Sequence, residues 1–136
     1  MAFPQVADRE VNQMKSLLAV ILGGSMGCVI RWLLAVKLNP TFPSLPPGTL
    51  LVNLAGGFII GGAMAWFMKN PQLDPAWKLL ITTGLCGGMT TFSTFSAEVV
   101  SALQAGNVAW AFTAIFVHVT GSLLMTALGY MLINAL

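Results

Sequence analysis

GLCGGMTTFSTFSAE, residues 84 to 98, breaks into an otherwise apolar segment with glycines, hydroxyls and two phenylalanines three apart. Such a run is poor filler for hydrocarbon. Backbone that leaves its helical hydrogen bonds there needs protein, an ion or water in exchange. A flexible polar stretch at membrane depth therefore points to something that binds in, or passes through, the membrane.

The rest of the chain supports a bilayer setting. Of its 136 residues 57% are hydrophobic and 7% charged, whereas soluble domains carry about 25% charged residues. The net charge of +2 is spread without a basic cluster, so no nucleic-acid partner is expected. Cys28 and Cys86 lie in apolar stretches and read as small buried side chains. No CxxC or histidine-rich pattern suggests zinc or haem. An enzyme is the least supported class, because Ser93 and Ser96 lack a base and its orienter and His118 lacks an acidic partner.

A crossing helix needs about 20 apolar residues. Residues 1 to 15 form a polar, loose or interfacial tail, followed by a channel-forming domain over 16 to 136. Within it the expected spans are 16 to 36, 49 to 68, about 79 to 103 and about 108 to 133. The proline-rich KLNPTFPSLPPG (37 to 48), the turn KNPQLDPAWK (69 to 78) and a short QAGN turn separate them. The fold class is thus an all-α membrane protein with four transmembrane helices, the third broken near its centre. Four crossings put both termini on one side. Arg9, Lys15, Lys69 and Lys78 then oppose Lys37 and Arg31, too small a bias to orient the chain. Glycines cluster at 23, 24 and 27 and at 56, 57, 61 and 62, where close helix packing is their first role.

Several polar residues sit where lipid should not tolerate them. Asn53 is either glue between helices or an amide donor aimed at a passing anion. Arg31 either snorkels as an anchor or makes an electropositive vestibule. Glu98 either faces water, pairs with Arg31 or carries a coupled proton. His118, Ser122 and Thr126, spaced four apart, share one helical face and either pack or line a pathway. Phe92 and Phe95 present ring edges of positive character, weak enough to coordinate an anion and release it.

Arg31, GTLLVNLAGGFIIGG (48 to 62) and GLCGGMTTFSTFSAE together resemble the CrcB/Fluc family of bacterial fluoride channels, over about residues 16 to 134. The resemblance implies an antiparallel, dual-topology homodimer in the bacterial inner membrane, with two narrow fluoride pathways. By position, Phe92 and Phe95 match the pore phenylalanines, Asn53 the pore amide and Arg31 the vestibule arginine. Gly87 and Thr90 match the break residues whose carbonyls, from both subunits, hold a central structural Na+. Thr49 and Glu98 fit positions near the pathway. His118 stands where a hydroxyl would align, ahead of Ser122 and Thr126. The function implied is passive, selective fluoride export. The alternative is a small proton-coupled exporter, for which Glu98 is the available acid; a purely structural membrane protein would have no need of the polar break.

Overall fold

Prolines and small residues set where the helices begin and how closely they approach. The structure, a computed structural model, describes residues 4 to 136; residues 1 to 3 of the expected tail lie outside the described residues. Helix α1 covers Pro4–Leu38 and runs into a 3-10 turn, Asn39–Thr41. Helix α2, Pro47–Lys69, starts on a proline whose missing N–H is no loss in the first turn. Helix α3, Pro75–Leu79, is capped by Asp74, whose Oδ1 accepts from the Ala76 N–H at 2.9 Å. A π-helical run, Leu80–Cys86, and the short α4, Gly87–Met89, continue it. Helix α5 is Phe92–Gln104 and α6 is Val108–Ala135.

The turn between α5 and α6 is a Schellman motif. Asn107 N–H donates to the Ala102 carbonyl at 2.8 Å and Gly106 N–H to that of Leu103 at 3.0 Å. Gly106, at φ 77°, takes the left-handed position that glycine adopts without a Cβ clash.

Two glycine seams position everything else. On α2, an added methyl at Gly61 would collide with the Thr126 carbonyl oxygen and lie 3.0 Å from Tyr130 N, while one at Gly57 would lie 2.9 Å from the Ser122 carbonyl oxygen. The parallel partner α6 answers with Gly129, whose methyl would strike the Phe58 carbonyl. The second seam joins Gly23 and Gly27 of α1 to Gly84 and Gly88. A methyl at Gly27 would lie 2.6 Å from Met89 N, and one at Gly84 would lie 2.9 Å from Gly23 Cα. Small residues at four-residue spacing let backbones touch, which is how helices associate where lipid removes the hydrophobic drive between them. At the end of the first seam, Lys69 Nζ donates to the carbonyls of Ile133 and Asn134 at 3.2 and 2.7 Å, closing the last turn of α6.

Side-chain size is distributed accordingly. The largest wholly buried side chains are Val52 and Thr49, whereas Leu22, Trp32, Met68, Phe116 and Leu123 are each more than half exposed. Three helices, over Asp8–Thr41, Pro47–Lys69 and Val108–Ala135, are long and apolar enough to cross a membrane. The expected tail differs from the structure. α1 is already helical at Pro4, ahead of the apolar run, because Glu10, Gln13, Met14 and Lys15 are good helix formers that extend an established helix at little cost.

The seams make a sharp prediction. Gly61→Ala overpacks two backbones that have no flexible side chain to move, and loses about 1–3 kcal/mol. Gly24→Ala, where a methyl meets nothing within 4 Å, is neutral. Thermal unfolding of the purified variants in detergent distinguishes the two.

Candidate functional site

The helical path stops at Met89 and restarts at Phe92. Thr90 (φ −77°, ψ 155°) and Thr91 (φ −150°, ψ 116°) between them are extended. An interruption of this kind strands the last carbonyls of one helix and the first N–H groups of the next, and side chains from three elements take up many of them. Thr91 caps α5, its Oγ1 accepting from the Thr94 N–H at 3.1 Å. Thr90 Oγ1 donates back to the Cys86 carbonyl at 2.9 Å.

Asn53 reaches across from α2 and holds the peptide groups of Thr91 on both sides. Its Oδ1 accepts from the Thr91 N–H at 2.7 Å, and its Nδ2 donates to the Thr91 carbonyl at 3.1 Å. The same Nδ2 lies 3.1 Å from His118 Nδ1. Asn53 is therefore a bridge, with both amide N–H groups occupied inside the chain. Gly56, one turn on, lets α2 close on the break, because a methyl there would strike Thr90 Cγ2.

Arg31 is engaged with backbone at the break. It extends from α1 and donates through Nε to the Gly88 carbonyl at 3.0 Å, neutralising the negative end of the interrupted helix. Within the described residues Glu98 pairs with Thr49, not with Arg31 as one expected alternative had it. Glu98 Oε1 accepts from Thr49 Oγ1 at 2.5 Å, while Asn39 donates through Nδ2 to that hydroxyl and accepts the Thr49 N–H, both at 3.1 Å. Asn39 thus caps the start of α2 from outside the helix, and the carboxylate binds to the same point.

A cavity of about 510 Å3 opens beside the break. Asn53, Gly87, Thr90, Phe92, Phe95, His118 and Ser122 border it, so most of the residues singled out in the sequence meet here. Phe95 is buried and Phe92 is 78% exposed at the mouth, with ring centroids 5.5 Å apart and planes at 58°. Phe95 also lies against the His118 ring, centroids 4.6 Å apart. Thr126 falls outside this cavity: its hydroxyl donates to the Ser122 carbonyl at 2.9 Å, and it lies against Gly57 in the seam. Thr49 and Glu98 are elsewhere too, Glu98 bordering a second cavity of about 420 Å3 between the 43–46 loop, α5 and the start of α6. Among the described residues no cluster of His, Cys, Asp or Glu could hold a metal ion.

Sequence reasoning missed Thr91 and Asn39. A hydroxyl directly before a renewed helix was a usable signal for Thr91. Asn39, ten residues from its partner in a loop, offered none.

With this geometry established, comparison places the chain. A family profile described as "CrcB-like protein, Camphor Resistance (CrcB)" matches residues 18–130. The chain belongs to the CrcB family. A "Fluoride-specific ion channel FluC" of Erwinia tasmaniensis is 69% identical to this CrcB protein over 122 residues, covering 90% of it and 98% of the relative. A protein of the same name from Escherichia coli O1:K1 / APEC is 64% identical over 122 residues, covering 90% and 97%. Another from Pseudomonas aeruginosa (strain UCBPP-PA14) is 58% identical over 120 residues, covering 88% and 94%.

Asn53→Ala should leave the Thr91 N–H and carbonyl without their side-chain partners. The expected loss is about 1–3 kcal/mol per orphaned group, read as a lowered unfolding temperature in detergent. An unchanged unfolding temperature would mean that the bridge contributes nothing.

Proposed function

We propose that this CrcB protein is a passive, fluoride-selective channel that lets F- leave the bacterial cytoplasm across the inner membrane. The observation that carries the reading is the cavity at the helix break, bordered by aromatic rings and hydroxyls and free of acidic side chains. Its relatives' name supplies the ion. Fluoride is small and tightly hydrated, so a pathway must offer close, weak donors in place of water and release the ion quickly. Ring edges and hydroxyls are donors of that kind. HF crosses bilayers uncharged and dissociates in a less acidic cytoplasm; a channel returns the anion down its electrochemical gradient without an energy source.

The fourth crossing in this reading is composite. Residues 75 to 89 rise roughly 22 Å and 92 to 104 roughly 20 Å, each short of the roughly 30 Å hydrocarbon core. Joined through the break, they cover it. We further propose an antiparallel homodimer of dual topology. The exposed Phe92 and the open side of the cavity support reading it as a half-pathway for a second copy to complete, and the small charge bias suits insertion both ways.

Na+ fits the same break. α4 ends there, its terminal carbonyls carry the negative end of the helix dipole, and Gly87 is exposed beside Thr90. Unwound carbonyls of this sort suit Na+. The Gly88 carbonyl is engaged by Arg31; those of Gly87 and Thr90, which the family resemblance implies as ligands, are the proposed ones, two from each copy. The ion would act as a structural pin, neutralising carbonyls that no helix partner reaches.

Liposomes loaded with fluoride or chloride, with valinomycin carrying K+, test the function directly. Wild type should release fluoride rapidly and chloride negligibly, while the Phe92→Ile/Phe95→Ile double variant loses more than about tenfold in rate yet still assembles. Absent fluoride release, or full flux in the double variant, would refute the corresponding claim. For the cation, exchange of Na+ for N-methyl-D-glucamine should lower the unfolding temperature and dissociate the dimer on gel filtration.

A further inference from the structure

Three of the chain's four acidic residues, Asp8, Glu10 and Asp74, lie outside the expected spans; Glu98, on α5, does not. Its carboxylate is held by a short chain of hydrogen bonds with a fixed direction. Asn39 Oδ1 accepts the Thr49 N–H at 3.1 Å, and because a backbone N–H can only donate, the oxygen end of the amide is settled. The other end, Nδ2, lies 3.1 Å from Thr49 Oγ1 and can only donate as well. A hydroxyl has one proton. Here it goes to Glu98 Oε1, 2.5 Å away, the length of a charge-assisted O–H···O bond.

Capping the start of α2 needs only the acceptor. An Asp at 39 would take the Thr49 N–H equally well, yet Asn39 also carries a donor, aimed at the one hydroxyl that touches Glu98. Backbone makes room for it, since a methyl at Gly48 would lie 2.6 Å from Asn39 Oδ1. The place of the carboxylate matters because of its surroundings. Glu98 and Thr94 both border the second cavity. Thr94 Oγ1 accepts from Thr91 Oγ1 at 3.0 Å, and Thr91 borders the first cavity. A hydroxyl pair joins the two cavities, with Glu98 one turn of α5 further on. A negative side chain free to swing there would repel an anion, and more strongly in a low-dielectric setting.

We infer that Asn39 is a positioning residue for the anion pathway: its amide fixes the polarity of the Asn39–Thr49–Glu98 chain and ties the carboxylate to the start of α2, at the wall of the second cavity. The inference rests on the channel reading.

Reversing the polarity tests it. In Asn39→Asp the cap stays, but the new carboxylate draws the Thr49 proton to itself and away from Glu98. Adding Glu98→Gln supplies an amide that donates to Thr49 Oγ1, so the chain closes again in the opposite direction. Fluoride efflux from liposomes holding the full chain should fall at least about tenfold in Asn39→Asp. In the double variant it should lie within about threefold of Glu98→Gln alone. A merely structural role for Asn39 would slow both backgrounds alike.

A second readout does not depend on flux. In a Glu10→Gln background Glu98 is the one glutamate left, so a 13C-glutamate label gives one carboxyl signal by solid-state NMR in liposomes. That signal should be single, and Asn39→Asp should shift or double it. Where Glu98→Gln alone is silent in efflux, this signal decides.

Full flux in Asn39→Asp, equal slowing in both backgrounds, or a Glu98 signal that Asn39→Asp leaves unchanged would overturn the inference and leave the channel standing. Wild-type vesicles that retain fluoride would bring down the channel reading, and the inference with it.

Discussion

Two residues of extended backbone, Thr90 and Thr91, stand between helices in a chain with too few charges to surround itself with water, and the polar groups they release must be matched from within. That demand organises the molecule. Asn53 from α2 takes both peptide groups of Thr91, Arg31 from α1 takes the Gly88 carbonyl, and Thr91 caps its own following helix. Each partner lies on a different helix, so the break is held only if the helices stand at fixed separation. The glycine seams supply that separation, because backbone-to-backbone contact has no softer, closer alternative. Without the seams the side chains would not reach; without the side chains the polar groups of the break would remain unmatched in a low-dielectric interior.

The division between what the sequence displayed and what it concealed follows from range. Residues 84 to 98 were conspicuous because glycine and hydroxyl density contradicts an apolar surrounding, and the glycine clusters because their four-residue spacing is itself a packing code. The helix limits around 47, 104 and 108 were marked by proline and glycine. Asn53, Arg31 and Glu98 were visible as misplaced polar residues, but their partners were not. Asn53 meets Thr91 across 38 positions, Arg31 meets Gly88 across 57, and Glu98 meets Thr49 across 49. No periodicity encodes such pairings, and a side chain bonded to backbone leaves no complementary residue type to search for. Arg31 shows the consequence: both roles weighed for it, anchor and vestibule, concerned its charge and lipid or ions, whereas its Nε serves a carbonyl.

The stripe of His118, Ser122 and Thr126 shows a second limit. Four-residue spacing does place the three on one helical face, yet the face is wide enough to serve two neighbours. His118 and Ser122 border the cavity, and Thr126 rotates into contact with Gly57. A shared face is a statement about one helix; what that face meets depends on where the next backbone stops, and here a glycine decides it.

The seams also join helices that are not neighbours in the chain. α2 packs along α6, and α1 along the segment from 80 to 89, so each glycine face has its partner far downstream. During synthesis α2 leaves the ribosome with its small-residue face bare. It stays so in the bilayer until the last helix has been made, and non-local contacts of this kind form late. The native arrangement is thus withheld until translation is nearly complete: a chain truncated before α6 keeps the seam between α1 and the segment from 80 to 89, but leaves the small-residue face of α2 without its partner.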